Sequence, residues 1–313
     1  MQPVSTLNIW RLTWPTMVSN ILYMLMGVAV LKIAGTMGAD AVAAVTTGQR
    51  LYFVLHAVMM GLCSGTTAMV GRYWGAGDKE RAGRFAALSV IVFLVDGMLL
   101  SWLAIPFLDH LVGIFGLTSE AHALAIEFTF WTALYAPALL VTLVFNMSFR
   151  AIGNAKMPLW TSLIGCTSSV VFGAALTFGW AGLPELGLAG LAVGSGIAMT
   201  LTIAAFVLFW TLGWCAFKPY NPFPGFVTNG KRLVDIGMPA AFEQAFFQGG
   251  MIIFMVFLAS YGNAPFAAYG IGLSILGLII VVAISFSISA ATLVSQHLGA
   301  GDLRGAYDAG WRT

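Results

Sequence analysis

Charge is what this chain has least of. Only 8% of its 313 residues are Asp, Glu, Lys or Arg, against about 25% in a soluble domain. That excludes an ordinary water-soluble enzyme, a nucleic-acid-binding module and a disordered chain. Cysteine is scarce too. Cys63, Cys166 and Cys215 stand apart in apolar stretches without CxxC spacing, which gives neither a disulfide framework nor a zinc site and leaves thiols serving as small hydrophobes. The four histidines lack metal-ligand spacing, so no metal is expected. Segments of about 10 residues alternating in polarity, the mark of a membrane barrel, are missing. So is a basic region ahead of the first apolar run, which is itself too long for a cleavable signal peptide.

What fills the chain is apolar: 59% of it is hydrophobic and the mean hydropathy is +0.91. About 20 such residues cross a bilayer as a helix. Eight spans are predicted, at 12–34, 41–70, 85–107, 121–145, 157–180, 186–214, 233–259 and 266–294, separated by Gly and Pro breakers. The fold class is therefore all-α, a polytopic membrane protein. Arg11, Arg72, Lys79, Arg81, Arg84, Arg150, Lys156, Lys218, Lys231, Arg232, Arg304 and Arg312 all fall on one side of these spans. Connections on the other side carry Asp40, Asp109, Glu120 and Glu185 and neither Lys nor Arg. The positive-inside rule then places the N-terminus and the basic loops in the cytoplasm, with the chain in a bacterial inner membrane. The loop cations would also meet anionic lipid headgroups, making membrane lipid a partner.

The sequence repeats itself. Gly75-Ala76-Gly77-Asp78 recurs as Gly299-Ala300-Gly301-Asp302, 224 residues later. The same offset carries Pro15 onto Pro239, Gly38 onto Gly262, Ala43-Ala44 onto Ala267-Ala268, Gly48 onto Gly272 and Val70 onto Val294. Six spans fit within one offset, and six is even. Both copies therefore enter from the same side, as parallel repeats related by an axis along the membrane normal. The expected organisation is a six-helix lobe at 1–218, a cytoplasmic linker at 219–232 and a partial second lobe at 233–313. Two whole copies would need about 450 residues, so a fragment or truncated product is expected.

Beyond the repeat, the motifs resemble those of the multidrug and toxic compound extrusion (MATE) family. They are Trp14-Pro15, the 38–45 segment GADAVAAV, the 68–78 segment AMVGRYWGAGD, the 149–154 segment FRAIGN, the 183–190 segment LPELGLAG and the 291–302 segment ATLVSQHLGAGD. The resemblance implies a twelve-helix fold in two lobes and export of organic, often cationic, compounds against inward H⁺ or Na⁺. It implies no cofactor beyond the coupling ion, and a monomer at full length. Family acids in spans one and five are replaced here by Val30 and Gly173, whereas the second lobe keeps Glu243; in one branch the coupling Glu falls nearer Phe247.

Ionisable groups at membrane depth are functional candidates. Glu243 lies near mid-depth of its span, with Gln244 and Gln248 beside it on an i, i+4 stripe. The offset maps Glu243 and Gln244 onto Ser19 and Asn20, so both copies are polar at matching positions and are expected to face a central cavity; a packing carboxyl is the alternative. Asp96 is a second candidate, unless it pairs with Arg50 as a structural lock. Tyr23, Phe246, Phe247 and Phe254 suit stacking on a lipophilic cation, although lipid-facing or core packing is the plainer reading of each. In the repeated loop, Gly75, Gly77, Gly299 and Gly301 fit a tight helix stop, and Asp78 and Asp302 fit caps of the following helices.

Two other functions remain open on the residues. One is a flippase of lipid-linked sugars of related architecture, for which several cavity Lys or Arg would be expected. The other is a membrane-embedded hydrolase using Ser274 in a Gly272-Leu273-Ser274-Ile275 elbow with His297 as base. About 23 residues of helix, or ~34 Å, separate that pair.

Overall fold

The computed structural model describes residues 9–212, 220–259 and 263–313, and these are helical nearly throughout. The helices are α1 (Ile9–Gly35), α2 (Ala39–Gly75), α3 (Lys79–Ala104), α4 (Leu108–Gly113), α5 (Ser119–Leu134), α6 (Ala136–Ala151), α7 (Lys156–Phe178), α8 (Ala189–Thr211), α9 (Phe226–Ala259), α10 (Asn263–Gly299) and α11 (Leu303–Arg312). Among the described residues six helical stretches are long and apolar enough to span a membrane, and α5 with α6 makes a seventh. Trp214, Cys215, Lys218 and Gly262 lie outside the described residues, as does the side chain of Ser274.

The fourth span departs from the straight helix predicted over 121–145. It is two helices, α5 and α6, bent by 50°. Pro137 opens α6; it has no N–H to give and its ring crowds the carbonyl four residues back, at Ala133. That carbonyl accepts a hydrogen bond from the Ser101 hydroxyl of α3, the way a broken helix is made tolerable in lipid. Beyond the bend α6 is enclosed by its neighbours, every residue from Leu140 to Ala151 being buried. Its Phe145 and Phe149 stack on Phe206 of α8, with ring centroids 5.1 and 5.4 Å apart, inside a core that includes Phe85, Phe93 and Leu88 of α3.

The two copies of the repeat meet where α2 crosses α10. A Cβ on Gly75 would lie 2.7 Å from the Cα of Gln296, and one on Gly299 would lie 2.7 Å from the carbonyl carbon of Arg72. Gln296 and Arg72 are themselves counterparts under the 224-residue offset. Gly71 meets its own counterpart: its Cβ would lie 2.9 Å from the Cβ of Ser295. Contacts of the form i to j′ and j to i′, with one residue touching its equivalent, define a two-fold relation and place its axis at Gly71 and Ser295.

The flanking contacts obey the same relation with different chemistry. On one side Thr13 of α1 donates to Ser289 of α10 over 2.9 Å. On the other, the counterparts Gly237 of α9 and Gly65 of α2 come backbone to backbone, a Cβ on Gly65 lying 3.2 Å from the Gly237 nitrogen. Hydroxyls bridge one crossing and glycines close the other, both routes by which helices associate without a hydrophobic drive.

The repeated loops are also alike. Asp78 accepts a hydrogen bond from the Arg81 N–H at the start of α3, and Asp302 accepts one from the Gly305 N–H at the start of α11, over 2.9 and 2.8 Å. Gly77 and Gly301 take φ of 81° and 77°, a left-handed turn that a Cβ would strain. Both loops are tight helix stops with capped restarts.

Candidate functional site

Charge separates to the two ends of the bundle. At one end a 540 Å³ cavity between α2, α3, α9 and α10 is lined by Arg72, Arg81, Arg232, Tyr73 and Asp78. At the other, Asp40 accepts from the Thr118 hydroxyl over 2.8 Å and Asp109 lies 3.6 Å from His122. Between these ends lie the polar residues singled out above.

Glu243 is exposed on α9, among exposed Phe242, Phe246 and Phe247. Gln244 is half-buried and Gln248 buried, and they continue the stripe of Leu233, Gly237 and Ala241 that packs on α2. Their counterparts on α1 divide differently. Asn20 donates to Ser285 of α10 over 3.1 Å, holding the crossing, whereas Ser19 is fully buried and donates to the Pro15 carbonyl of its own helix over 2.9 Å. Asn20 thus lies at the crossing of α1 with α10, and Ser19 turns into its own lobe. Asp96 is half-buried on α3 beside the Cys63 thiol and makes no ion pair among the described residues. The pairing with Arg50 considered above is not formed.

Tyr23 is the meeting point of a cluster that sequence reasoning missed. Its hydroxyl accepts from Ser162 of α7 over 3.2 Å, with Cys166 one turn further along that helix. From α6 come Asn146 and Arg150, i and i+4, both within interaction range of the phenol. From α2 come Tyr52, close to Tyr23, and His56, whose ring stacks on Tyr52 at 5.7 Å. Three i, i+4 pairs on three helices thus converge on one tyrosine, which remains 37% exposed. The apolar run ends at Phe145, which puts Arg150 in a cytoplasmic connection by sequence, whereas α6 continues to Ala151 and buries it. The available signal was the i, i+4 spacing of Asn146 and Arg150 at the end of a span.

His297 is engaged elsewhere. Its Nδ1 lies 3.0 Å from the Asp302 carboxylate. The Gly305 N–H, and then the His297 ring, hold that exposed carboxyl below the usual range for aspartate.

A family model, MatE, matches residues 15–175 and 239–313, two segments whose starts differ by the same 224 residues. The chain belongs to the MatE family. Among the relatives of this MatE chain is the probable multidrug resistance protein NorM of Thermotoga maritima, 26% identical over 311 residues, covering 96% of this chain and 66% of that protein. Another is the FAD transporter of Shewanella oneidensis, 22% identical over 283 residues, covering 87% and 61%. The chain spans about two thirds of the length of these curated relatives. In fold it is similar to an outward-facing multidrug resistance MATE transporter of the MOP superfamily, with a TM-score of 0.88 at 21% identity over 99% of this chain and 70% of that one. A MOP superfamily transporter of Pyrococcus furiosus, described as having a binding pocket of reversed polarity, superposes with a TM-score of 0.87 at 22% identity, over 99% and 70%. MatE proteins are transporters and not enzymes, so the hydrolase alternative is set aside.

Proposed function

We propose that the protein is a secondary antiporter of the bacterial inner membrane. It exports lipophilic organic compounds, cationic ones among them, in exchange for inward H⁺ or Na⁺, with its N-terminus in the cytoplasm and no cofactor beyond the coupling ion. The observation that carries this is the two-fold crossing at Gly71, Gly75 and Gly299. Two parallel bundles joined by a glycine-backed contact on their common axis can rock against each other with little side-chain repacking, the motion alternating access requires. The names of the multidrug resistance relatives support efflux.

Glu243 is the group we assign to coupling. Its repeat counterpart Ser19 is buried within the first lobe, which supports an inward-facing Glu243 in the second. A carboxyl at that depth is costly when ionised and uncompensated, so it binds a proton or pairs with a cation. Asn20 holds the crossing of α1 with α10, Gln244 and Gln248 lie beside Glu243 along α9, Asp96 is a second acid at depth, and Tyr23 marks the first lobe's polar interior.

Transport in sealed vesicles tests the proposal. A fluorescent cationic dye should be extruded when a proton or sodium gradient is imposed, and Glu243→Gln should abolish gradient-driven extrusion. Extrusion that ignores both gradients, or an unchanged rate in the variant, would overturn antiport or remove Glu243 from it.

A further inference from the structure

Arg150 has no counter-ion. It is 5% exposed, and its Nε is buried without a hydrogen-bond partner among the described residues. All 12 acidic residues of the chain fall within described segments, and none forms an ion pair with it. An uncompensated buried ion costs several kcal/mol even after relaxation, and a guanidinium does not escape by losing its proton. Helical side chains lean toward the N-terminus of their helix, so Arg150 reaches back from the end of α6 into the lobe, toward Asn146 and the Tyr23 phenol.

The neighbours are those an anion needs. Tyr23 accepts from Ser162, which leaves its own O–H free to donate. Asn146 Oδ1 and His56 Nδ1 are buried and unpartnered among the described residues; with its oxygen unheld, the Asn146 amide can turn its N–H₂ toward an oxyanion, so this interior has room for a polar occupant. Convergent donors around a guanidinium bind carboxylate and phosphate oxygens through charge-assisted, bidentate hydrogen bonds.

We propose that Arg150, with Tyr23 and Asn146 beside it, is an anion subsite of the first lobe that binds the carboxylate or phosphate group of the transported solute. This rests on the transport function proposed above and extends its substrates to amphiphiles carrying an oxyanion, zwitterions included.

The test is equilibrium binding to the purified protein in phosphatidylcholine nanodiscs. Three probes are used: fluorescein (a planar organic carboxylate), rhodamine 6G (a lipophilic cation) and inorganic phosphate alone. Fluorescein should bind about tenfold or more weakly to Arg150→Gln, with partial recovery in Arg150→Lys, while rhodamine 6G binding is unchanged. Without ligand, Arg150→Gln should melt no lower than the parent protein, because it removes an uncompensated charge, and fluorescein should raise the melting temperature of the parent only. Competition of phosphate with fluorescein also supports the subsite. Three results would overturn it: equal fluorescein affinity in Arg150→Gln, a lower melting temperature with equal loss of both dyes, or stabilisation by phosphate with no fluorescein binding. Arg150-dependent fluorescein binding in a protein that extrudes no dye would sink the transport function alone.

Discussion

Alanine at Gly75 is the most informative single change. Its Cβ would stand 2.7 Å from the Gln296 Cα and closer still to that residue's carbonyl oxygen, against 3.4 Å for ordinary contact. Both obstacles are backbone, so α2 and α10 must part by at least roughly 0.7 Å. Overpacking of this kind costs about 1–3 kcal/mol, and at about 2–4 °C per kcal/mol the melting temperature in detergent should fall by roughly 2–12 °C. Gly299→Ala should behave alike, since it strikes Arg72 across the same axis. The double variant is the sharper measurement. Once the helices have parted for one methyl, the second fits more easily, so the pair should cost less than the sum by about 0.5–3 kcal/mol. Gly27→Ala, where nothing lies within 4 Å, supplies the control. If Gly75→Ala melts with that control, or if the two losses simply add, the helices do not cross on a shared axis.

Two further changes probe the supporting structure. Ser101→Ala removes the hydroxyl that satisfies the Ala133 carbonyl at the bend; it should cost about 1 kcal/mol and speed hydrogen exchange at the start of α6, whereas unchanged exchange would mean that Pro137 alone holds the bend. Asp302 has a lowered pKa, caused first by the Gly305 N–H, so its cap is in full force above about pH 4, the unfolded value, and is lost as pH falls through the lower folded value. Protection of the Gly305 and Ala306 amides should follow that course in the parent and become independent of pH in Asp302→Asn, which caps without titrating; identical pH profiles in the two proteins would refute the assignment.

Much of this fold was legible in advance because membrane solvent simplifies the code. Long apolar runs locate the spans, and the loop arginines sort to one end. The Gly-Ala-Gly-Asp pair gave the repeat because a left-handed turn and an Asp cap each tolerate few residues, so both copies keep the same chemistry at Gly77 and Gly301 and at Asp78 and Asp302. Hydropathy could not show the bend at Pro137, since both halves of that span are equally apolar and the break is made good by Ser101 of another helix. Nor could it show that Arg150 is inside. A cation just past an apolar run reads as a loop residue unless the packing around α6 is known. Ser19 and Asn20, adjacent and both polar, look equivalent in sequence, yet 100° of helix rotation sends one into the lobe and the other to the crossing.

Cross-linking across the axis puts the two-fold relation to its most direct trial. With Cys63, Cys166 and Cys215 replaced by alanine, Gly71→Cys and Ser295→Cys place two Cβ atoms 2.9 Å apart, so a small separation of the helices reaches the roughly 3.5–4.5 Å of a disulfide. Mild oxidation in native membranes should form an intramolecular bond between α2 and α10 rapidly, while Gly71→Cys with Ser289→Cys, about 9 Å further along α10, should remain reduced. Failure of the first pair to join, or equal reaction of both pairs, would mean that the two copies of the repeat do not meet face to face.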